Sequence, residues 1–219
     1  MTDKAFIFDL NGTMVDDMEF HAKAWFGILN NDLNANLGWD EVRREMYGKN
    51  QELLVRVFGE GKFSMEEMDA FSMEKERRYQ AAFKEHLRLI NGLEDFLKSS
   101  SEKGIALAIG SAAIMFNIDF VLDGLNIRHY FSAIVSADDV QTSKPDPETF
   151  LKAAEQLGIG PKSCIVFEDA PKGVEAALNA GMQTVVLTTM HPKEEFAAYS
   201  NIICFIEDYT DDNLKTLFQ

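Results

Sequence analysis

Apolar and polar positions change rhythm twice along this chain. Residues 4–9, Lys-Ala-Phe-Ile-Phe-Asp, form a short apolar run ending on an acid, and Asn11-Gly12-Thr13 follows with turn chemistry. That is the pattern of a buried strand running straight into a loop. From about Met18 to Leu87 the pattern is helical and poor in strands. Ser64 with Glu67 three residues on makes a capping box. It opens a long helix with Met68, Phe71, Tyr79, Ala82 and Phe83 roughly along one stripe. After His86 short apolar runs return. Strands are predicted at 105–109, 130–135, 163–167, 183–187 and 202–206. Helices are predicted at 92–103, 112–122, 147–157, 171–180 and 211–218, the third with Asp146 as N-cap and Pro147 at its first position.

Strands alternating with helices predict an α/β fold, a doubly wound parallel, Rossmann-like sheet. The first strand stands apart from the others by the long helical stretch. The expected plan is therefore a core of residues 1–15 and 88–219 with an inserted all-helical cap at 16–87. Two chain crossings near the site would make a hinge on which such a cap opens and closes.

Composition narrows the partners. The chain has 219 residues, 46% of them hydrophobic and 17 of them Phe, enough for a buried core. A net charge of -15 argues against nucleic acid and anionic membranes as partners and otherwise serves solubility. A small anionic substrate would then need local positive charge from a metal, a lysine or a helix end. Cys164 and Cys204 lie in apolar runs that read as buried strands, without the spacing of a metal knuckle. They read as reduced core thiols in a reducing compartment. Met1-Thr2-Asp3-Lys4 leads directly into a strand with no signal peptide, and no apolar run reaches membrane-spanning length. A cytoplasmic monomer is expected.

In open parallel sheets, ligands bind beyond the carboxyl ends of the strands. Asp9, Asn11 and Thr13 follow the first strand, and Ser111 the second. Lys144 lies in the loop after the third, and Glu168-Asp169 follow the fourth. Each has a bland reading alone: Asp9 as a strand-end cap, Lys144 as a surface lysine, Glu168-Asp169 as a helix start. Together they put three carboxylates on one rim, which repel unless a cation sits between them, and Mg²⁺ suits an all-oxygen site. Ser111, read as opening a helix, and Lys144 would serve an anion. Metal, lysine and helix end together point to phosphoryl transfer.

These segments resemble the motifs of the haloacid dehalogenase superfamily. Phe6-Ile7-Phe8-Asp9-Leu10-Asn11-Gly12-Thr13 looks like its first motif, and Ile109-Gly110-Ser111 like its second. Ser143-Lys144-Pro145-Asp146-Pro147 looks like its third, and Phe167-Glu168-Asp169-Ala170 like its fourth. The helical insert, with Phe20-His21 and Ala24-Trp25, is similar to the β-phosphoglucomutase-like branch. The resemblance implies that Asp9 is the nucleophile forming an aspartyl-phosphate. It implies that Asp9, the Asn11 carbonyl and Asp169 hold Mg²⁺, with Glu168 acting near the metal through water. Ser111 and Lys144 would bind the transferring phosphate of a small phosphorylated metabolite. His21, Lys49 and Lys75 are the candidate cap residues facing substrate.

The chain departs from the family at position 11. Phosphatases and mutases of this kind carry an Asp there that protonates the leaving group and later activates water; Asn11 does neither. Three origins fit: an engineered substitution that traps a complex, a natural enzyme for activated substrates such as acyl phosphates, or a binding protein that has lost turnover. Gln51 stands where the sugar-phosphate mutase has an arginine for the non-transferring phosphate, although Lys75 resembles a second cap lysine of that enzyme. The reading is a phosphatase weakened by Asn11. The alternatives are a β-phosphoglucomutase-like mutase and a metal- and phosphate-binding pseudoenzyme. A receiver-type switch shares the acidic cluster but has no insert like 16–87.

Overall fold

The structure, a computed structural model, describes residues 4–218. The expectation for Met1-Thr2-Asp3 lies outside the described residues. The chain packs as two compact units, Met1–Asp16 with Arg88–Gln219, and Asp17–Leu87.

The first unit is built on six parallel strands. They are β1 (Ala5–Phe8), β2 (Ala106–Gly110), β3 (Ala133–Val135), β4 (Cys164–Glu168), β5 (Gln183–Leu187) and β6 (Ile202–Ile206), in the order β3-β2-β1-β4-β5-β6. The order reverses between β1 and β4, which is where doubly wound sheets open their ligand crevice. Side chains on β1 alternate between the faces. Ala5 and Ile7 join a core with Val135, Phe150 and Val166. Phe6 and Phe8 join an aromatic cluster with Phe96, Phe167 and Tyr209.

Strands 183–187 and 202–206 stand where the sequence puts them. Other elements differ. The third strand begins only at Ala133, because Arg128–Tyr130 is a 3₁₀ turn. The closing helix, Asp212–Phe218, is 3₁₀ throughout. The helix expected from Ala112 begins at Met115. The helix after Pro147 starts at Glu148, whose N–H is capped by the Asp146 carboxylate at 2.9 Å. Cys164 is buried, but Cys204, on edge strand β6, is only half-buried.

The second unit holds α1 (Met18–Phe26), α2 (Trp39–Glu45), α3 (Asn50–Phe58) and α4 (Met65–Phe83), with a π-helical turn at Gly27–Asp32. Trp25, Ile28, Leu29, Val42, Leu53, Leu54 and Met68 form its core. Ser64 and Glu67 make the expected capping box. The apolar stripe on α4 needs correcting. Met68, Tyr79 and Phe83 are buried, but Ala82 is exposed, and Ser72, Lys75 and Glu76 take buried places instead. The chain continues in the first unit with α5 (Leu93–Glu102), α6 (Met115–Gly124), α7 (Glu148–Leu157) and α8 (Pro171–Asn179). No helix among the described residues is long and apolar enough to cross a membrane.

Candidate active site

Phe8 on β1 is in register with Phe167 on β4, and the Asp9 N–H donates to the Phe167 carbonyl at 3.0 Å. The two strands therefore deliver Asp9 and the pair Glu168-Asp169 to one rim at the switch point. Lys144 reaches the same rim from the loop after β3. Its ammonium donates to Asp9 Oδ1 at 2.7 Å and to Glu168 Oε1 at 2.8 Å. Ser111 follows β2 and lies close enough to Asp9 to pull the pKa of that carboxyl down. Thr13 donates its hydroxyl to Asp169 Oδ1 at 3.2 Å. Asp9, Ser111, Lys144, Glu168 and Asp169 are all buried.

Glu168 has both oxygens engaged. Oε1 accepts from Lys144, and Oε2 accepts from the backbone N–H groups of Asp169 and Ala170, each at 2.7 Å. These are N–H groups at the entry to α8, where negative charge is favoured. In this geometry Glu168 chiefly places Lys144. Among the described residues no three His, Cys, Asp or Glu side chains form a group that could hold a metal ion. A cation here would take the Asp9 and Asp169 carboxylates and a main-chain oxygen.

Burial dominates the electrostatics. It pushes Asp9 up to about 6, with Lys144 pulling it down and Glu168 pushing it up. Burial and the charges of Glu168 and Asp9 raise Asp169 well above the usual carboxylate range. Burial alone would lower the Lys144 ammonium, but Asp9 and Glu168 outweigh it and hold it above its ordinary value.

The bland reading of Lys144 as a surface lysine does not hold. Lys144 is 8% exposed, wedged between two carboxylates, with its ammonium 4.5 Å from the Phe150 ring centre. Ser111 does not open a helix. It sits in the loop before α6, its Oγ accepting from the Ala113 N–H at 3.2 Å.

The turn after Asp9 carries a further set of contacts. Gly12 has φ +75, and a Cβ built there would lie 2.1 Å from Asp169 Oδ2. Only bare backbone lets that carboxylate lie against the Asn11-Gly12 turn. The Thr189 hydroxyl donates to the Gly12 carbonyl at 2.6 Å, and the Tyr209 hydroxyl donates to the Thr13 carbonyl at 3.1 Å. Neither residue was singled out in the sequence. Both follow the carboxyl ends of strands, β5 and β6, so extending the rim rule to those strands finds them.

Set beside known proteins, the chain matches the family described as haloacid dehalogenase-like hydrolase over residues 6–187. The chain belongs to this family. It is 32% identical to a fructose-1-phosphate phosphatase of Escherichia coli (strain K12), over 82% of this chain and 93% of that one. It is 30% identical to β-phosphoglucomutase of Bacillus subtilis (strain 168), over 83% and 82%. A crystal structure of β-phosphoglucomutase from Clostridium difficile superposes with a TM-score of 0.84 at 25% identity, covering 98% of this chain and 96% of that one. The likeness to the β-phosphoglucomutase-like branch holds in both sequence and fold.

Within this haloacid dehalogenase-like chain, the other three candidate residues all lie in the Asp17–Leu87 unit. Two of them meet there. Lys75 Nζ is 2.7 Å from His21 Nδ1 and 3.0 Å from Glu76 Oε2. The His21 ring stacks on Tyr79, whose hydroxyl donates to Asp17. Burial lowers the Lys75 ammonium against the opposing pull of Glu76 and Asp17. His21 is thus part of a buried polar cluster. Lys49 is the residue before α3, its N–H donating to Glu52 at 3.0 Å, and the next residue, Asn50, donates to Glu76 at 2.7 Å. Gln51 donates to Asp69 at 2.8 Å.

Proposed function

We propose that the chain is a Mg²⁺-dependent phosphatase for a small phosphorylated, sugar-like metabolite, working through an aspartyl-phosphate on Asp9. The observation that carries this reading is the Asp9–Lys144 contact of 2.7 Å at the switch point of the sheet, with Asp169 beside it. A buried carboxylate facing a buried ammonium is a nucleophile whose repulsion from an incoming anion is already offset. The similarity to phosphatases and a mutase of sugar phosphates supports the substrate class.

The residues fit a divalent cation. Asp9 and Asp169 are buried carboxylates on one rim, while Glu168 is already matched to Lys144 and to the N–H groups of Asp169 and Ala170. A cation between Asp9 and Asp169 would also reverse the upward push that burial and repulsion exert on both. Asp9, Asp169 and the Asn11 carbonyl would hold it, and it would supply charge stabilisation for the transferring phosphoryl group.

The chemistry on the chain's own residues runs in two steps. An Asp9 carboxylate oxygen bonds to phosphorus as the bond to the substrate's leaving oxygen breaks, and that oxygen takes a proton from solvent because Asn11 has none to give. Water then adds to the phosphorus of the aspartyl-phosphate, returning inorganic phosphate and free Asp9. Lys144 and Ser111 hold the phosphoryl oxygens in both steps, and Glu168 holds Lys144. The unit Asp17–Leu87 is proposed as the cap, with His21, Lys49 and Lys75 as its candidate substrate residues. Gln51 in place of an arginine disfavours the mutase. Phosphate release from a panel of sugar phosphates and acyl phosphates with Mg²⁺ tests the reading. Release from none of them would leave the metal- and phosphate-binding pseudoenzyme as the surviving alternative.

A further inference from the structure

We infer that Tyr209 and Thr189 are positioning residues for the metal-holding turn, bracing its peptide planes from behind. This rests on the reading above, in which the Asn11 carbonyl and Asp169 hold a divalent cation.

Consecutive peptides of the turn are each fixed by a named partner. The Gly12 N–H donates to the Val15 carbonyl at 2.8 Å. A trans peptide points its C=O opposite to its N–H, so this bond also aims the Asn11 carbonyl away from Val15. The Gly12 carbonyl accepts from Thr189 and the Thr13 carbonyl from Tyr209. The Met14 N–H closes the turn on the Leu10 carbonyl at 2.8 Å. Thr13 then passes the placement on, because its hydroxyl donates to Asp169. Two hydroxyls outside the motif segments thereby fix the two peptides that follow the proposed carbonyl ligand and, through Thr13, the seat of Asp169.

Tyr209 itself is held firmly. Its ring packs against Phe8, Phe96 and Phe167, with centroids 6.4, 5.6 and 5.8 Å away. Its N–H donates to the Asn91 carbonyl at 2.9 Å, and the Ile90 N–H donates to the Met14 carbonyl at 2.9 Å. Gly92, at φ +79, admits this crossing, since a Cβ there would lie 2.8 Å from the Tyr209 backbone. The loop after β6, the chain entering α5 and the turn after β1 are laced together, with the Tyr209 hydroxyl at the inner end.

The experiment is calorimetric titration of Mg²⁺ alone into the full chain and four variants, with thermal unfolding of each in EDTA. Tyr209→Phe and Thr189→Val each remove a single hydroxyl and keep the shape. Thr189→Ser restores the donor, and Asp169→Asn is the control for the metal reading. Tyr209→Phe and Thr189→Val should each weaken Mg²⁺ binding about tenfold, the size of one hydrogen bond in the supporting shell of a metal site. Thr189→Ser should recover it, and the metal-free melting temperatures should stay close to that of the unchanged chain. Mg²⁺ affinity within about twofold in both hydroxyl-deleted variants, with Asp169→Asn abolishing binding, overturns the inference alone. Undiminished binding in Asp169→Asn overturns the metal reading on which it rests. Collapse of both metal-free variants overturns the inference too, because the hydroxyls would then serve the fold as a whole.

Discussion

The carboxylate of Glu168 occupies the space that a side chain on Gly173 would need: a Cβ at Gly173 would lie 1.7 Å from Glu168 Oε1. Gly173 is in the first turn of α8, so the helix presents bare backbone to the acid that holds Lys144. Gly173→Ala should leave the sheet and α8 in place, since the clashing atoms are the end of a flexible side chain. It should displace Glu168 from Lys144 and from the N–H groups of Asp169 and Ala170. Hydrogen bonds to charged groups are worth about 1.5–3 kcal/mol each. Phosphate release should fall at least about tenfold with the far-ultraviolet circular dichroism unchanged. Unaltered turnover would mean that Glu168 does not govern Lys144.

Lys144→Ala should abolish binding of a phosphate analogue. Its burial between Asp9 and Glu168 adds a second effect, because removing one partner of a buried ion pair costs about 3–5 kcal/mol. A lower unfolding midpoint in urea should accompany the loss of binding. Phosphate-analogue affinity within about twofold of the starting chain would show that the positive charge comes from elsewhere.

The metal-free protein should respond to pH through Asp9. Its pKa is raised from 3.8 to about 6, so the folded state binds more protons than the unfolded one between those values. The stability this group gives is full below about pH 4 and is lost as pH rises through about 6. Mg²⁺ competes with that proton, so the rise in melting temperature on adding Mg²⁺ should be larger at pH 7 than at pH 5. At a hundred times its Kd the ion should add about 2.7 kcal/mol. A Mg²⁺ effect that is flat across this range would contradict the placement of the cation at Asp9.

Much of this was legible in the sequence because parallel strands buried on both faces read as short apolar runs, and their carboxyl ends share one rim. Asp9, Ser111, Lys144 and Glu168-Asp169 were found that way. Burial of ionisable groups was not legible. Lys75 and Glu76 lie on an otherwise charged stretch of α4, and only packing shows that they face His21 and Tyr79 rather than solvent. The engagement of both Glu168 oxygens depends on the path of α8 over the sheet. Thr189 and Tyr209 carry ordinary side chains outside any motif, and their role depends on which loops cross behind β1. The 3₁₀ form of residues 212–218 leaves no mark in the hydrophobic pattern that separates it from an α-helix.

Asn11 should make the chain slow on alkyl phosphates and relatively better on activated ones, since an alkoxide leaving group needs a proton that this side chain lacks. Asn11→Asp should raise alkyl-phosphate turnover by about 10² or more, from the size of acid–base terms. Mass spectrometry of the Asn11 peptide must accompany the assay, because a deamidated trace would carry the missing acid. The Gly12 N–H, the nucleophile of deamidation, is bonded to the Val15 carbonyl, so the folded chain should resist it. Equal turnover of the two chains without deamidation would assign the proton to another group, with His21 the first to test.

Asp9 as the atom that attacks phosphorus is the centre of the proposal, and Asn11 makes it unusually open to test, because breakdown of the aspartyl-phosphate should be slow. The most direct measurement is acid quenching after mixing the chain with an acyl phosphate and Mg²⁺, followed by peptide mass spectrometry. One phosphoryl group should appear on the peptide containing Asp9, at a level approaching one per chain, and should be absent from Asp9→Asn. Turnover with no phosphoryl group on that peptide, or activity retained by Asp9→Asn, would contradict it.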